Sequence, residues 1–395
     1  MDTLRYEQVQ DTLLRGKAPR ITGCKYLASF NWLRKDTPTI VVPGVPPRWT
    51  PHDHPPQLLE DSGDFFRDIN AAQYPKHPIE PAVRAVLAQT PALEADRVDL
   101  FACGSTMGNL LRYARRDDKE FRFVVEVVCS TVFFIRRGNS PDEKILGVRG
   151  YGHTMPKSYT KLDRCVRESV SHQRLIRYEF GGIECIVSCE GDGYLKHKAK
   201  ESSPAFHHLA GIEGLRMLAG GKAISQEAMF DIKTRSFRRK GEDILGGEID
   251  RLWLRQIPNF IVAYHRSGTF DDIEIMDVGK QIIRWETKHA DDLRIFSAII
   301  EEIITYARSQ AGTVFEVGSL RPQILEFRRL GGQLNPVLPD ELRQVWSQSG
   351  LATAEYSEEE YSDEYVGSDS EGGVGLDSID DSDNGAEPDY TAWCP

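Results

Sequence analysis

Residues 230–240 read FDIKTRSFRRK: an apolar approach ends on an acid, one residue is skipped and a lysine follows. About forty residues earlier, residues 189–194 read CEGDGY, with two acids separated by one glycine. Side chains two apart on a β-strand point to one face, so Glu190 and Asp192 are expected to share a face, as are Asp231 and Lys233. If the two strands are neighbours, three carboxylates and one ammonium group converge.

Such a convergence suits metal-assisted hydrolysis of a phosphodiester. Mg²⁺ and Mn²⁺ prefer oxygen ligands, and carboxylates can hold ions that activate water and stabilise the leaving oxygen. A lysine beside them would stabilise developing negative charge or position the water. The spacing alone leaves open the alternative that both stretches are ordinary charged strand faces.

The surrounding pattern predicts an α/β (α+β) fold, with a mixed β-sheet core flanked by helices. Apolar runs bounded by turn residues predict the strands, and apolar residues at spacings of three and four predict the helices. The predicted strands lie within residues 25–33, 38–51, 121–137, 172–195 and 272–286. The predicted helices lie within residues 78–89, 105–116, 202–221 and 289–312, the third a short helix stopped by Gly220 and Gly221.

Three motifs in this order resemble those of the DXO-type decapping and exoribonuclease family, a branch of the PD-(D/E)xK nuclease fold. They are Glu190-Gly191-Asp192, Asp231-Ile232-Lys233-Thr234 and Trp253-Leu254-Arg255-Gln256. The resemblance covers roughly residues 95–300. The stretch NWLRKDTPTIVVPGVPPRWTP, residues 31–51, resembles fungal relatives and extends it to most of the chain.

The resemblance implies a divalent-metal-dependent protein that acts at RNA 5′ ends, removing incomplete caps and degrading the RNA chain behind them. It implies that Asp192 and Asp231 are metal ligands and that Glu190 holds a metal-bound water. Lys233 would orient the nucleophile, and Gln256 would assist. Mg²⁺ or Mn²⁺ is the implied cofactor, and RNA 5′ ends are the implied partner.

Four positions depart from the family motifs. Gly104 stands where the first motif carries an arginine that grips RNA, and Pro156 stands at a metal-binding glutamate of the second motif. Gly191 replaces an apolar residue, and Asp231 replaces a glutamate. Because proline cannot ligate a metal, weak or lost hydrolysis is expected unless a nearby acid such as Glu179 or Glu184 stands in. The alternative is a non-catalytic member of the fold that binds RNA or a protein, such as an exoribonuclease.

Basic residues follow the acid-x-Lys motif. Together with Arg255, those expected to contact RNA phosphates are Arg235, Arg238, Arg239 and Lys240. Adjacent His207 and His208 are expected to be surface residues, because neighbours on a helix do not face one ligand site.

A prenyl-diphosphate synthase is a minor alternative. Asp271-Asp272 followed by Asp277 has the form of a first aspartate-rich motif, and fungal proteins similar to this one often carry that label. Such synthases are all-helical, however, whereas this stretch alternates like a strand.

Charge divides the chain into two regions. Residues 351–395 hold 14 Asp and Glu and no Lys or Arg, whereas residues 1–350 hold 49 basic and 46 acidic residues, a net charge of +3. We therefore expect a DXO-like domain over residues 1–350, with an N-terminal layer at 1–60 and a core at 95–310, and a disordered acidic tail at 351–395. The tail is interpreted as a spacer, a nucleic-acid mimic or a docking segment.

Cysteine spacing and hydropathy exclude several classes of protein. Seven scattered cysteines without a CxxC pair argue against a disulfide framework and a structural zinc site. No apolar run of membrane-spanning length is present, so no membrane partner is expected, and the expected location is the nucleus or cytoplasm.

Overall fold

The computed structural model describes residues 2–8, 18–117, 119–209, 214–310, 312–330 and 335–349. This part of the chain combines helices with strands, as a mixed α/β fold does. The predicted acidic tail lies outside the described residues.

The strands are numbered in chain order. They are β1 Asp2–Arg5, β2 Ile21–Leu33, β3 Thr39–Val42, β4 Arg48–Trp49, β5 Phe65–Phe66, β6 Leu100–Cys103, β7 Phe121–Val128, β8 Thr131–Arg136, β9 Lys144–Ile145, β10 Thr160–Lys161, β11 Ser169–Phe180, β12 Ile183–Cys189, β13 Gly193–Tyr194, β14 Glu201–Ser202, β15 Arg216–Ala219, β16 Ala223–Ile224, β17 Met229–Ser236, β18 Asn259–Arg266, β19 Thr269–Asp277, β20 Phe315–Arg321 and β21 Ile324–Arg329.

The helices are numbered in the same way. They are α1 Ile69–Gln73, α2 Glu80–Gln89, α3 Gly104–Ala114, α4 Thr154–Tyr159, α5 Ile249–Arg255, α6 Gly279–Lys288, α7 Ala290–Ser309 and α8 Asp340–Gln348. Short 3₁₀ helices lie at Ala95–Arg97, Arg164–Val166, Lys196–Lys198, Gln226–Ala228 and Phe237–Arg239. None of the helices in the described ranges is long and apolar enough to cross a membrane.

Two mixed sheets form the centre of the molecule. The large sheet has the order β1-β21-β20-β7-β8-β6-β12-β11-β2-β3-β15, and the second sheet has the order β10-β4-β13-β17-β18-β19. The predicted mixed sheet flanked by helices is thus confirmed, although it is divided in two. The predicted N-terminal layer contributes β2 and β3 to the large sheet itself, where β2 pairs with β11.

Alternation along the strands sends side chains into different cores. On β12, Cys185 and Val187 join the core that includes residues of α3, α5 and α7, whereas Ile186 joins the core formed with α2 and α8. On β17, Met229 joins the first of these cores, whereas Phe230 and Ile232 pack with α4. Asp231 and Lys233, which alternate with Phe230 and Ile232, therefore belong to the face of β17 that looks towards α5.

Most predicted elements are present. The helices α2, α3 and α7 lie where the apolar spacing predicts them, and α7 begins with Asp291 and Asp292 in its first turn, where negative charge favours a helix. The strands β7, β8 and β12 lie within their predicted stretches, whereas β2 and β11 begin before theirs, at Ile21 and Ser169.

Two elements differ from prediction for tertiary reasons. The described residues of 202–221 contain no helix; instead β15 pairs parallel with β3, because the edge of the large sheet offers unpaired backbone groups. The strand predicted over 272–286 ends at Asp277, and α6 begins at Gly279, with Ile282 and Trp285 buried on one face.

Candidate functional site

The chain crosses from the large sheet to the second sheet between Cys189 and Gly193. β12 ends at Cys189, and Gly193 begins β13, which pairs with β17. Glu190 and Asp192 therefore lie in the crossing segment. The prediction that they share a face of one strand is wrong, because the strand ends before both acids.

Gly193 is required by close approach at this crossing. A Cβ atom added there would lie 2.5 Å from the Phe230 ring and 2.5 Å from the Pro47 carbonyl oxygen. The Pro47 oxygen is a backbone atom and cannot move aside without shifting the chain. The small residue thus lets β13 fit between its neighbours and sets the position of Asp192.

Asp192 forms hydrogen bonds with the backbone of the two residues that flank Asp231. Its N–H donates to the Phe230 carbonyl oxygen at 3.1 Å, and its Oδ2 accepts the Ile232 N–H at 2.6 Å. Burial, and then the charge of Asp231, raise the pKa of Asp192 from 3.8 to about 7, although the Ile232 N–H and Arg251 act in the opposite direction. Asp192 therefore lies beside the acid-x-Lys strand, an approach that the sequence made conditional on the two strands being neighbours.

Two arginines of α5 lie against Asp231, which is only 1% exposed. Arg251 and Arg255 are four residues apart and so share a helix face. The Oδ2 atom of Asp231 is 3.3 Å from an Nη2 atom of Arg251 and 3.6 Å from an Nη1 atom of Arg255. Burial opposes the charge on Arg255, but Asp231 and nearby acidic groups raise the pKa of this guanidinium overall.

Lys233 lies on the same face of β17 as Asp231 and forms an ion pair with Glu248, at the start of α5. The other oxygen of Glu248 is 3.2 Å from Arg251. Acidic and basic groups thus alternate across the gap between β17 and α5. We call this group the arginine–aspartate cluster; its members are Asp192, Asp231, Lys233, Glu248, Arg251 and Arg255.

The Glu190 carboxylate makes its hydrogen bond outside this cluster. Its side chain is exposed, and its Oε1 accepts a hydrogen bond from the buried Gln173 amide at 2.6 Å. Its backbone contacts the cluster directly, because the Glu190 carbonyl oxygen accepts a hydrogen bond from Arg255 at 3.1 Å, and the charge of its carboxylate helps to raise the pKa of Arg255.

Gln256 is turned back on its own helix. It is the C-cap of α5 in the left-handed conformation, with φ 52°, and its Nε2 donates to the Trp253 carbonyl oxygen at 2.5 Å. Its backbone carbonyl accepts a hydrogen bond from Gln226. In this arrangement the side chain caps a helix end rather than facing the cluster.

The basic residues after Lys233 divide into two groups. Arg235 lies two residues beyond Lys233 on the same face, is partly buried, and has an Nε atom without a hydrogen-bond partner. Arg238 is exposed, Arg239 pairs with Glu242, and Lys240 pairs with Asp272 and Glu274. Exposed ion pairs of this kind contribute little to the stability of the folded protein. Arg239 and Lys240 can therefore exchange their carboxylate partners for a more highly charged anion.

The positions that depart from the family motifs supply no further acid. Pro156 lies in α4, whose neighbouring Met155 packs with Phe230 and Ile232, on the face of β17 opposite Asp231. Gly104 begins α3, and a Cβ atom there would be 3.6 Å from the Arg255 Nε atom. That distance is an ordinary van der Waals contact, so close approach of Arg255 does not require a glycine here.

The two acids expected to be able to stand in for the missing glutamate do not reach the cluster. Glu179 and Glu184 are opposite each other in the β11–β12 ladder, and Glu184 pairs with Arg177. At about 3.3 Å per residue, Glu184 is separated from the end of β12 by most of that strand.

The residues present do not fit a two-metal centre. Within the described ranges, no group of three or more His, Cys, Asp or Glu side chains is arranged to hold a metal ion. Asp192 and Asp231 are together, but the Glu190 carboxylate is hydrogen-bonded to Gln173, and Asp231 is already ion-paired with two arginines. A divalent cation bound here would have two carboxylates as ligands and would lie next to two positively charged side chains.

A buried polar network behind the cluster was not predicted. Arg174 on β11 donates to the Gln226 Oε1 atom at 2.6 Å, and Gln226 donates to the backbone carbonyls of Arg255 and Gln256 at 3.0 Å each. The polar run His172-Gln173-Arg174 inside an apolar strand is the sequence signal that could have indicated it. Glu248 was also missed; its only local signal is the spacing of three residues to Arg251.

The minor sequence patterns have structural explanations. Asp271, Asp272 and Asp277 lie on β19, an edge strand, and pair with Arg266, Lys240 and Lys198 respectively. The mixed α/β fold contradicts the all-helical fold of a prenyl-diphosphate synthase. His207 and His208 lie in irregular chain rather than in a helix. The six cysteines within the described ranges are free thiols.

The fold is that of solved Rai1 structures. Rai1 from S. pombe in complex with 3′-FADP is 11% identical, with a TM-score of 0.55 over 84% of this chain and 99% of that one. Rai1 from Scheffersomyces stipitis, in complex with (3′-NADP)+ and calcium, is 12% identical, with a TM-score of 0.55 over 88% and 100%. Rai1 from Candida albicans, in complex with pU5-Mn2+, is 11% identical, with a TM-score of 0.55 over 88% and 99%. At sequence identities of 11–12%, this structural similarity shows that the fold is shared.

The chain itself belongs to the family described as Domain of unknown function (DUF8563), whose model matches residues 9–346. No curated protein matches it by sequence.

Proposed function

We propose that the protein binds the 5′ ends of RNA through their phosphate groups at the arginine–aspartate cluster, with weak or no hydrolysis. The supporting observation is a set of guanidinium N–H groups at the cluster that have no hydrogen-bond partner. These atoms are Nε of Arg251 and Nε of Arg255 in the cluster, and Nε of Arg235 beside it; all three are buried. A phosphate oxygen is an acceptor that forms strong, charge-assisted hydrogen bonds with arginine.

The cluster is accessible from one side. The side chains of Lys233 and Arg251 are 30% and 35% exposed, whereas Asp231 beneath them is buried. An anion that approaches Arg251 would therefore meet basic groups first. The presence of nucleotide ligands and pU5 in structures of the same fold supports a nucleotide-bearing anion rather than a simple ion.

Weak or absent hydrolysis follows from the groups that surround the acids. Lys233, which the family resemblance makes a catalytic residue, is neutralised by Glu248. Asp231 is neutralised by Arg251 and Arg255, and Pro156 cannot act as a ligand. The nucleus or the cytoplasm, where RNA 5′ ends occur, is the compartment that agrees with this function.

The test compares one RNA oligonucleotide with a 5′-monophosphate, a 5′-triphosphate or a 5′-hydroxyl, by fluorescence anisotropy at fixed salt. We expect the phosphorylated forms to bind more tightly, and Arg251→Gln to weaken their binding about tenfold or more while affecting the 5′-hydroxyl form less. Arg97→Gln, which removes an exposed arginine on another part of the surface, is the matched control. Equal affinity for all three ends would refute recognition of the 5′ phosphate.

The same RNAs incubated with MnCl₂ or MgCl₂ test the hydrolase alternative. Release of nucleotides that disappears in both Asp192→Ala and Lys233→Ala would establish a metal-dependent hydrolase in place of a binding protein. Under the proposal, neither the wild type nor these variants releases nucleotides at a significant rate.

Binding of a protein partner, such as an exoribonuclease, is a second candidate function. The small β5–β9 sheet and its surroundings expose large apolar side chains, namely Leu59, Phe66, Ile145 and Leu146. A cavity of about 290 Å³ lies beside this sheet. Its lining includes Arg67, which follows β5, and Glu143, which precedes β9. Exposed apolar side chains grouped in this way are typical of an interaction surface. Leu146→Asp together with Phe66→Asp should abolish co-purification of such a partner without changing RNA binding.

A further inference from the structure

From the arginine–aspartate cluster we infer that Arg251 and Arg255 take the place of a divalent cation at the Asp192–Asp231 pair. The two guanidinium groups together carry the charge of one such ion. The site consequently holds its anionic ligand without a metal. The identity of that ligand rests on the proposed function, whereas the replacement of the cation does not.

The geometry places both charges on one carboxylate. Arg251 and Arg255 lie one helical turn apart on α5, and both have an Nη atom within 4 Å of the same Asp231 oxygen, at 3.3 and 3.6 Å. That oxygen is buried and has no hydrogen-bond partner in the described structure. Its charge is balanced by these ion pairs, as a buried carboxylate requires.

The arginines are held in place by contacts outside the acidic pair. Arg255 donates to the Glu190 carbonyl oxygen at 3.1 Å, and its own carbonyl accepts a hydrogen bond from Gln226. Gln226 in turn accepts a hydrogen bond from the buried Arg174. The position of Arg255 thus depends on a chain of hydrogen bonds that reaches into the large sheet.

The remaining oxygen donors are committed elsewhere. The Glu190 side chain is held by Gln173, and the Glu248 oxygens face Lys233 and Arg251. Mg²⁺ and Mn²⁺ require about six oxygen ligands, and an ion bound to Asp231 would be repelled by two fixed positive charges. Removing those charges, rather than adding a ligand, is therefore the change that should admit the ion.

Isothermal titration calorimetry with MnCl₂ alone, on the chelator-treated full chain, tests the inference. We expect the double variant Arg251→Gln/Arg255→Gln to bind Mn²⁺ about tenfold or more tightly than the wild type. Adding Asp231→Asn to the double variant should remove the gain. Because a ligand that binds the folded state stabilises it, MnCl₂ should also raise the melting temperature of the double variant but not of the wild type.

Arg97→Gln is again the matched control and should behave as the wild type does. If the double variant does not fold, Arg255→Gln alone, which leaves Arg251 beside Asp231, is expected to show the same direction of change. Wild-type Mn²⁺ binding that is as tight as in the folded variants and is lost in Asp231→Asn would overturn the inference. Since no RNA is present, failure of RNA binding would leave this result unaffected.

Discussion

Asp231 is a buried carboxylate whose charge must be balanced by neighbouring residues. A carboxylate that is 1% exposed must be paired, and the sequence places Lys233 on its face, two residues away. In the structure Lys233 pairs with Glu248, and the pairing of Asp231 falls to Arg251 and Arg255. The acid-x-Lys pattern predicted the shared face correctly, but it could not identify the partner of either charge.

The burial of His172, two residues before Arg174 on β11, makes the stability of the protein depend on pH. Its Nδ1 donates to Asn31 Oδ1 at 3.2 Å, and its Nε2 has no hydrogen-bond partner in the described structure. Burial, and then the charge of Arg174, lower the pKa of His172 from 6.5 to about 3. The folded protein therefore keeps this imidazole neutral at pH values where the unfolded chain protonates it.

The stability contributed by neutral His172 is complete above pH 6.5 and decreases as the pH falls towards 3. We expect the wild type to lose about 2 kcal/mol more of its free energy of unfolding between pH 8 and pH 5 than His172→Asn, whose side chain cannot be protonated. Urea unfolding at the two pH values measures the difference. His54→Asn, at an exposed position, is the matched control.

At the scale of elements, the short crossing from β12 to β13 brings the two sheets together at the site. The spacing of CEGDGY is compatible with one continuous strand, and nothing local indicates that the pairing partner changes at residue 190. The change is caused by contacts with distant residues, since β12 pairs with β6 and β11 whereas β13 pairs with β4 and β17.

Alanine substitutions at Gly193, in this crossing, and at Gly108, within α3, are expected to have opposite effects on stability. We expect Gly193→Ala to reduce the free energy of unfolding by about 1–3 kcal/mol, because the added Cβ meets a backbone oxygen at 2.5 Å. Gly108→Ala, within α3, meets no atom within 4 Å and should stabilise the protein by about 0.5–1 kcal/mol. Equal effects of the two substitutions, measured by chemical denaturation, would contradict the close approach at Gly193.

For the molecule as a whole, the C-terminal end of the described chain packs against the face of the large sheet that α2 covers. The core on that face combines Trp32 of β2, residues of α2, and Trp346 of α8. Trp346 is fully buried, contacts the Phe101 and Phe133 rings, and donates to Thr131 Oγ1 at 3.1 Å. The folded body therefore includes α8, beyond the core predicted at residues 95–310.

Removing the Trp346 side chain tests whether α8 belongs to the cooperative unit. We expect Trp346→Ala to lower the free energy of unfolding by about 3–5 kcal/mol, the usual cost of emptying a buried aromatic site. Gln344→Ala, an exposed position on the same helix, should change it by about 0.5 kcal/mol or less. A single shifted unfolding transition for Trp346→Ala would show that α8 unfolds with the body, whereas an unchanged main transition would contradict this.

The sequence by itself determined the fold class, the helices α2, α3 and α7, and the shared face of Asp231 and Lys233 on one strand. These features depend on periodicity and on motif order, which are local properties of the chain. Tertiary structure decided that the Glu190 carboxylate binds Gln173, that Gln256 caps a helix, and that two arginines neutralise the acid expected to hold a metal. These outcomes depend on which distant groups share a buried space, because a buried charge takes the partner that packing brings within reach.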